Sequence, residues 1–382
     1  MTSGYTDPLA QDLTTLTDAE RKELEAHGFD ASFLVERARL AREGTFENRV
    51  RGKVAPPSPK NLLPLPERGT PEARRLEDLG ETALREGRCA LAVLAGGMAT
   101  RMGGVVKALV EALPGSTFLD LRLAEQAALT RRYGKRPPLW LMTSQPTHGP
   151  IVGALGHRLG DGVEVFRQGL NVRLTEDGRL FRDNSGAPSL YAPGHGDFSD
   201  ALARSGLLGP FLESGGQYVL VSNLDNLGGG LDPLVIGFHL DSGADITCEV
   251  VQKRDADRGG VPVDYEGRTV ILEEFRLPED FDANQIRVFN VNTLAFSAKA
   301  LDDVKIPWTY FEVKKETEGK RVLQFERLIH ELTFHLETRY AVVPREGIDS
   351  RFLPVKDQKE LAARAPEIEQ LARARGMLSE KV

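Results

Sequence analysis

The chain is predicted to fold as an α/β protein whose central sheet is mainly parallel and flanked by helices. Short apolar runs alternate with helical segments between residues 89 and 251, as strand–helix–strand crossovers require. The runs are apolar throughout, which is typical of strands that are buried on both faces. Polar or glycine-rich loops follow two of the runs. Since parallel sheets bind ligands at the carboxyl ends of their strands, these loops are the expected place for chemistry.

The apolar runs define the elements of the main domain, which is expected to span residues 89–356. Strands are predicted at residues 90–95, 139–143, 163–166, 218–222 and 246–251. Helices are predicted at residues 119–132, 199–212 and 232–240.

The segments on either side are predicted to be peripheral. In residues 1–88, Thr17 and Glu20 have the spacing of a capping box. Five prolines between residues 51 and 66 indicate an extended linker along the surface, and Pro71 is expected to open another helix. Residues 357–382 are predicted to form a charged helical tail.

The balance of charge is acidic, and this narrows the class of partner. The formal net charge is −7 over 382 residues, which gives no general attraction to nucleic acid or to an anionic membrane. An acidic protein that binds a polyphosphate must therefore concentrate its positive charge locally.

Two cysteines, both in apolar stretches, favour a reducing compartment. No signal peptide or membrane-spanning run is visible, so a cytoplasmic location is expected.

A glycine loop at Gly96 and Gly97 follows the first apolar run, and Lys107 comes shortly after it. Glycines let backbone N–H groups approach a phosphate or a base, and a lysine at this distance can reach a phosphate. The spacing is not GxGxxG, because Ala99 replaces a glycine, and it is not that of a P-loop. A plain tight turn is the alternative interpretation.

Two further loops have polar side chains where a ligand is expected. His195 lies between two glycines just before a predicted helix, where anions are favoured and an imidazole can donate a hydrogen bond. The alternative makes Asp197 a helix cap. Asp225 ends an apolar strand, a position that suits a Mg²⁺ ion sharing its shell with phosphates; the alternative is an Asp/Asn turn.

Three other segments carry candidate binding residues. Asn290 and Asn292 are two residues apart, so in a strand both face one side, which suits sugar hydroxyls or a half-exposed strand face. Glu273 offers a carboxylate for a sugar hydroxyl, although paired acids on an edge strand are usually at the surface. Lys356 is either a phosphate clamp or a solvated lysine. The histidines have no metal-binding spacing.

Together these segments resemble UDP-glucose pyrophosphorylase, the eukaryotic-type UTP–glucose-1-phosphate uridylyltransferase family. One match would be weak, but many in the correct order are specific. Besides the glycine loop with Lys107, the matches are residues 118–121, 141–144, 166–168, 193–197, 205–208, 222–227, 259–260, 289–292, 324–326 and 350–356.

The resemblance implies a glycosyltransferase-A-like nucleotidyltransferase fold with a mixed central sheet. It also implies that glucose 1-phosphate attacks the α-phosphorus of UTP and expels pyrophosphate, with Mg²⁺ as cofactor. His195 within Gly-His-Gly-Asp is similar to the glucose branch, since relatives that act on N-acetylhexosamines usually carry Asn there. Two alternatives stay open: another sugar 1-phosphate as substrate (galactose, N-acetylglucosamine or several), and a catalytically weak UDP-sugar-binding or regulatory protein.

The resemblance also assigns roles to residues, in three groups. The implied catalytic residues are Lys107, Lys356 and Asp225, with Asp225 as the Mg²⁺ ligand. The implied nucleotide-binding residues are Ala95, Gly96, Gly97, Arg101, Gln168 and Gly196, with Gln168 reading uracil. The implied sugar-binding residues are His195, Asn223, Glu273, Asn290 and Asn292.

The sequence departs from the family pattern in three places. Ala99 stands where the family usually has glycine, and Val105-Val106-Lys107-Ala108 replaces the usual Gly-Pro-Lys-Ser. The family's C-terminal β-helix is expected to be absent, because a charged helical segment follows Lys356. Since many relatives associate through that β-helix, a monomer is expected.

Overall fold

The computed structural model describes residues 7–254 and 256–378. Within them, eight strands form the main sheet. The strands are β1 (Leu62–Pro64), β2 (Cys89–Leu94), β3 (Leu139–Thr143), β4 (Val163–Arg167), β5 (Tyr218–Asn223), β6 (Ile246–Gln252), β7 (Val288–Ser297) and β8 (Thr338–Val342). The α-helices of the same residues are α1 (Pro8–Leu13), α2 (Asp18–Ala26), α3 (Ala31–Arg42), α4 (Pro71–Arg85), α5 (Phe118–Tyr133), α6 (Gln145–Leu155), α7 (Phe198–Ser205), α8 (Leu208–Glu213), α9 (Pro233–Ser242), α10 (Ala298–Asp303) and α11 (Gln358–Ala374).

The main sheet is mixed and mainly parallel, which confirms the predicted fold class. Its strands follow the spatial order β1-β8-β6-β7-β5-β2-β3-β4. Every neighbouring pair is parallel except the two that β7 makes with β6 and β5. Val93 of β2 pairs with both Leu141 of β3 and Ser222 of β5, so these three strands end level with one another.

Helices cover the central strands on both faces, which explains why the strands are apolar throughout. Leu91 and Val93 of β2 face the core cluster that includes α5 and α11, whereas Ala90 and Ala92 face the cluster that includes α7 and α8. Successive residues of a strand point to opposite faces, so both faces must be apolar to be buried.

Two predicted elements differ from the structure. The helix expected at residues 199–212 is divided into α7 and α8, because Gly206 between them has a left-handed φ of 71°. The proline-rich linker is not only a surface segment, since it contributes the edge strand β1, which pairs with β8. Proline is tolerated in an edge strand because it needs no ladder partner there.

Smaller sheets surround the main sheet. Their strands are Val54–Ala55, Gly260–Tyr265 and Arg268–Glu273; Leu174–Thr175, Phe311–Thr317 and Lys320–Glu326; Asn171–Val172 and Leu190–Tyr191; Met98–Ala99 and Val105–Val106; and Glu111–Leu113 and Ser116–Thr117.

The terminal segments pack against the main domain. Helices α1 to α3 share a core cluster with strands Leu174–Thr175 and Lys320–Glu326, and α4 packs against α9. Leu361, Ile368 and Leu371 of α11 are buried in the main core. Each helix within the described residues is too short or too polar to cross a membrane.

Candidate active site

A cavity of about 740 Å³ opens at the carboxyl ends of β2 to β5. Because parallel strands end at the same edge of a sheet, segments that are distant in sequence meet here. The predicted site residues in its walls are Ala95, Gly96, Gly97, Lys107, Gln168, His195, Asn223, Asp225, Asn290, Asn292 and Lys356.

The glycine loop after β2 is held close to the ends of β3 and β4. The Ala95 N–H donates to the Met142 carbonyl at 2.8 Å, and Ser144 Oγ donates to the Gly96 carbonyl at 2.8 Å. A Cβ atom at Gly96 would lie 2.6 Å from Gln168 Oε1, so a larger residue here would displace the end of the Gln168 side chain. A Cβ atom at Gly97 would meet open space. The loop therefore leaves room for a ligand at Gly97 and for the Gln168 side chain at Gly96.

A short hairpin returns the chain from Gly97 to Lys107. Met98–Ala99 pairs with Val105–Val106, and the Lys107 N–H donates to the Gly97 carbonyl at 3.2 Å. Ala99 has φ −80°, which any residue adopts, so its methyl group is accommodated without strain. Lys107 thus reaches the cavity despite the altered sequence around it.

Lys107 and Asp225 form an ion pair inside the cavity. Lys107 Nζ lies 2.9 Å from Asp225 Oδ2, and the Val355 N–H donates to the same oxygen at 3.1 Å. Asp225 is 8% exposed. Both contacts fall on one carboxylate oxygen, so the other is the candidate for a cation.

A buried arginine, Arg122, fixes the loop that carries Asp225. The Arg122 guanidinium donates to the carbonyls of Asn223 at 3.0 Å and Asn226 at 2.6 Å, and it pairs with Glu125 at 2.8 Å. Its side chain is fully buried. Because three carbonyl or carboxylate oxygens surround the cation, the loop has little freedom to move.

The segment that ends in Lys356 crosses the same loop. The Leu353 N–H donates to Asn226 Oδ1 at 2.7 Å, and Asn226 Nδ2 donates to the Arg351 carbonyl at 3.0 Å. The Arg351 guanidinium is itself anchored on buried Glu249, with Nε 2.9 Å from Oε2. This anchoring brings the exposed Lys356 to the cavity wall, far in sequence from Lys107.

His195 faces the cavity as a neutral imidazole. Its Nδ1 accepts the Ile329 N–H at 3.1 Å, so the proton of the neutral ring lies on Nε2. Burial lowers the pKa of His195 to about 4, which keeps the ring uncharged at neutral pH. His195 therefore offers a hydrogen-bond donor without a charge.

A hydrogen-bonded group is formed by three asparagines, Asn223, Asn290 and Asn292. Its geometry differs from the strand alternation that the sequence predicts for Asn290 and Asn292. Asn292 Nδ2 donates to Asn223 Oδ1 at 3.0 Å, and the Asn292 N–H donates to Asn290 Oδ1 at 3.1 Å. The expectation of simple strand alternation was wrong, because β7 bulges here and Asn292 has a left-handed φ of 55°. Within the part of the chain that the structure describes, Asn292 Oδ1 is buried and has no hydrogen-bond donor.

Glu273 lies beside this group instead of in the cavity wall. A Cβ atom at Gly260 would meet both Glu273 Oε1 at 3.2 Å and Asn290 Nδ2 at 3.3 Å. Burial, and then the negative charge of Glu274, raise the pKa of Glu273 to about 7. Its Oε1 is 3.6 Å from Nε2 of the buried His330.

Comparison with known proteins identifies the family. The family model described as UTP–glucose-1-phosphate uridylyltransferase matches residues 43–379. The chain belongs to this family. A relative of that name from Musa acuminata is 31% identical over 335 residues, which cover 83% of this chain and 70% of the relative.

Solved structures of related proteins have the same fold. The UDP-glucose phosphorylase of Trypanosoma brucei superposes with a TM-score of 0.74 at 23% identity, over 90% of this chain and 77% of that one. The uridine diphosphate N-acetylglucosamine pyrophosphorylase of Trypanosoma brucei gives a TM-score of 0.73 at 21% identity, over 96% of this chain and 82% of that one. These likenesses confirm the nucleotidyltransferase fold.

Besides Glu273, two residues assigned by the uridylyltransferase resemblance do not lie in the cavity wall. Arg101 is exposed on the short helical turn Thr100–Met102. Gly196 packs against the backbone of residues 327–328, where a Cβ atom would lie 2.6 Å from two backbone atoms. Its glycine is therefore explained by close packing.

The structure adds cavity residues that the sequence reasoning missed. Ser144 donates a hydrogen bond to the glycine loop. It directly follows the strand predicted at residues 139–143, so its position in the sequence could have indicated a site residue. Arg345 lines the cavity and pairs with Asp257, its two guanidinium nitrogens lying 2.5 and 2.8 Å from the carboxylate oxygens. That pair joins residues 88 positions apart, for which the sequence has no signal.

Proposed function

We propose that this chain forms UDP-glucose and pyrophosphate from UTP and glucose 1-phosphate, with Mg²⁺ bound at Asp225. It is a nucleotidyltransferase of the uridylyltransferase family. The observation that carries the proposal is the meeting of Lys107, Asp225 and His195 in one cavity at the carboxyl ends of parallel strands.

The reaction needs positioning and charge neutralisation more than a covalent nucleophile. A phosphate oxygen of glucose 1-phosphate forms a bond to the α-phosphorus of UTP. The bond from the α-phosphorus to the oxygen that bridges to the β-phosphorus breaks, and pyrophosphate leaves with that oxygen. Lys107 and Lys356 neutralise the phosphate charge, which increases on the leaving group in the transition state.

The donor set suits Mg²⁺. Among the described residues, no three His, Cys, Asp or Glu side chains are grouped as a metal cage. Mg²⁺ commonly takes one or two protein carboxylates and completes its shell with phosphate oxygens and water. Asp225 would be the protein ligand, and the bound ion would supply further charge neutralisation to the phosphates.

The remaining cavity residues orient the two substrates. Gln168 reads the uracil ring through its amide. The neutral His195 donates from Nε2 on the sugar side, and Asn292 offers Oδ1, a buried acceptor, to a sugar hydroxyl. Gly97 leaves space for the nucleotide. An uncharged donor and an amide acceptor suit hydroxyl groups, which carry no charge.

We also propose a cytoplasmic monomer. Both cysteines are buried free thiols, which suits a reducing compartment. The apolar side chains Leu361, Ile368 and Leu371 of α11 are already buried in the core, so this helix does not present them to a second copy. Light scattering at micromolar concentration tests the monomer, and a stable dimer mass would refute it.

Pyrophosphate release tests the activity and the choice of sugar together. Purified protein is incubated with UTP, Mg²⁺ and the 1-phosphate of glucose, galactose or N-acetylglucosamine in turn. We expect the highest kcat/KM with glucose 1-phosphate, and loss of turnover when Mg²⁺ is chelated. Faster turnover of another sugar would contradict the glucose assignment. UTP binding seen by calorimetry without pyrophosphate release from any sugar would favour a binding protein instead of an enzyme.

A further inference from the structure

The side-chain amide of Gln168 is held in one orientation. Its Nε2 donates to the Gly194 carbonyl at 3.0 Å, while its Oε1 lies beside Gly96. Exchanging the two ends would place Oε1 against the Gly194 carbonyl oxygen, so that two acceptors would face each other. An unmade hydrogen bond of this kind is costly in a buried site, and Gln168 is 8% exposed.

This orientation has a chemical consequence for the base. Uracil presents a donor at N3, whereas cytosine presents an acceptor at N3 and an amino donor at C4. An amide that rotates freely can match either base, because it carries one acceptor and one donor end. An amide locked with Nε2 on Gly194 keeps Oε1 as its acceptor, which matches the N3–H of uracil.

The backbone of Arg327 holds the turn that carries the Gly194 carbonyl, and the Asp197 N–H donates to that carbonyl at 3.3 Å. The Arg327 N–H donates to the Pro193 carbonyl at 2.8 Å, and the Gly196 N–H donates to the Arg327 carbonyl at 2.9 Å. Gly194 has a left-handed φ of 86°, and a Cβ atom there would lie 2.5 Å from the Arg327 oxygen. The turn around Gly194 therefore sits directly on the Arg327 backbone.

A buried ion pair connects this turn to the segment that carries Gln168. Asp197, 1% exposed, pairs with the Arg327 guanidinium and accepts the N–H of Gly169, the residue after Gln168. Sequence reasoning offered Asp197 a capping role, but its side chain makes no capping bond to α7. The other terminal nitrogen of the Arg327 guanidinium, Nη1, lies 2.5 Å from Oδ2 of Asp200, whose side chain is 43% exposed.

We propose that the Asp197–Arg327 pair fixes the orientation of the Gln168 amide and thereby sets the preference for UTP over CTP. Asp197 and Arg327 are positioning residues, since they act on the base through Gln168 and Gly194. The inference rests on the proposed function, in which Gln168 reads the uracil ring.

The test compares kcat/KM for UTP and for CTP, with saturating glucose 1-phosphate and Mg²⁺. The variant Asp197→Asn keeps the shape of the side chain but turns one acceptor oxygen into a donor. Since Arg327 and the Gly169 N–H both donate to Asp197, one of these contacts must break. We expect the UTP:CTP ratio to fall about tenfold, the size of one lost buried hydrogen bond. Asp200→Asn is the matched control: it removes the charge of the exposed carboxylate that pairs with the same arginine, and it should leave the UTP:CTP ratio unchanged.

Two further variants separate the outcomes. Gln168→Ala tests the base reader itself. Arg327→Lys keeps the charge but loses the planar guanidinium, whose two terminal nitrogens contact Asp197 and Asp200 separately. If Asp197→Asn does not fold, as judged by circular dichroism, Arg327→Lys tests the same ion pair in its place. A lower ratio in Gln168→Ala and in whichever positioning variants fold supports the inference. A lower ratio in Gln168→Ala with a wild-type ratio in the folded positioning variants overturns it, while the proposed function stands. A wild-type ratio in Gln168→Ala removes the uracil role of Gln168 and overturns the inference with it.

Discussion

Glu273→Gln is expected to make the protein more stable at alkaline pH and to change its stability little at acidic pH. Burial, and then the charge of Glu274, raise the pKa of Glu273 from its ordinary value of 4.5 to about 7 in the folded protein. Between these two values the folded chain holds a proton that the unfolded chain has lost. Stability therefore falls as the pH rises through this interval. Glutamine has nearly the same shape and does not ionise, so the variant escapes this loss.

The size of the effect follows from the two pKa values. Each pKa unit corresponds to about 1.4 kcal/mol, so a carboxyl group displaced from 4.5 to about 7 destabilises the folded state by about 3 kcal/mol once it is ionised. Glu273 keeps a side-chain exposure of only 20%, so solvent screens little of this cost. The difference in unfolding free energy between variant and wild type should grow by that amount from acidic to alkaline pH.

Urea unfolding of both proteins at about pH 4 and about pH 8, on either side of the interval, measures this difference. Comparing the variant with wild type at each pH cancels the titration of all groups that the substitution leaves alone. Glu274→Gln is the matched control: it removes the same charge from the next residue, which pairs with Lys253 at 3.1 Å. It relieves only the second cause of the shift, so its pH dependence should be smaller.

A stability difference that is the same at both pH values would refute this reasoning. It would mean that Glu273 is solvated and that its carboxylate is not held at a cost. If the cost is present, it is that of keeping a carboxyl group buried beside Asn290, a residue of the cavity wall. Proteins tolerate such local losses of stability at binding sites.

Three further substitutions test the cavity itself. Asp225→Asn should lower kcat by about 10²–10³, because one charge is lost where the phosphates react. Glu360→Gln, which removes a charge from the same cavity wall, is its control. Near-normal turnover of Asp225→Asn at saturating Mg²⁺ would show that Asp225 is only a turn residue. Lys356→Ala should lower kcat and kcat/KM together, and Lys356→Arg should not restore them, since a guanidinium is planar and larger than an ammonium group. A wild-type kcat in Lys356→Ala would mean that this lysine is a solvated surface residue. Ala99→Gly should keep its activity and lose about 1 kcal/mol of stability, because the backbone does not need glycine there; loss of UTP binding would contradict this.

The position of the cavity was predictable because it depends on local sequence. The apolar run at residues 90–95 became β2 at Cys89–Leu94, and the run at 218–222 became β5 at Tyr218–Asn223. Runs that are buried on both faces have no polar residues to obscure their limits. The polar residues that follow such strands then lie at one edge of the sheet, whatever the rest of the chain does.

Features that depend on contacts between distant segments were not predictable. The bulge in β7 at Asn292 arises because Cys248 pairs with Leu294 while Val250 pairs with Asn290, and neither strand alone indicates that mismatch. Asn290 and Asn292 thus reach the cavity by a geometry different from simple alternation. The edge strand β1 likewise exists only because it pairs with β8, which lies near the other end of the chain.

The pairing at Asp225 explains how an acidic chain can hold a polyphosphate. With a net charge of −7, the protein as a whole repels UTP, so its cations must be gathered at one place. Asp225 Oδ2 receives both Lys107 Nζ and the N–H of Val355, the residue before Lys356. One carboxylate oxygen therefore brings together the two segments that carry the lysines proposed to bind the phosphates. Because Lys107 is paired and the backbone next to Lys356 is held, both segments are in place before a nucleotide arrives.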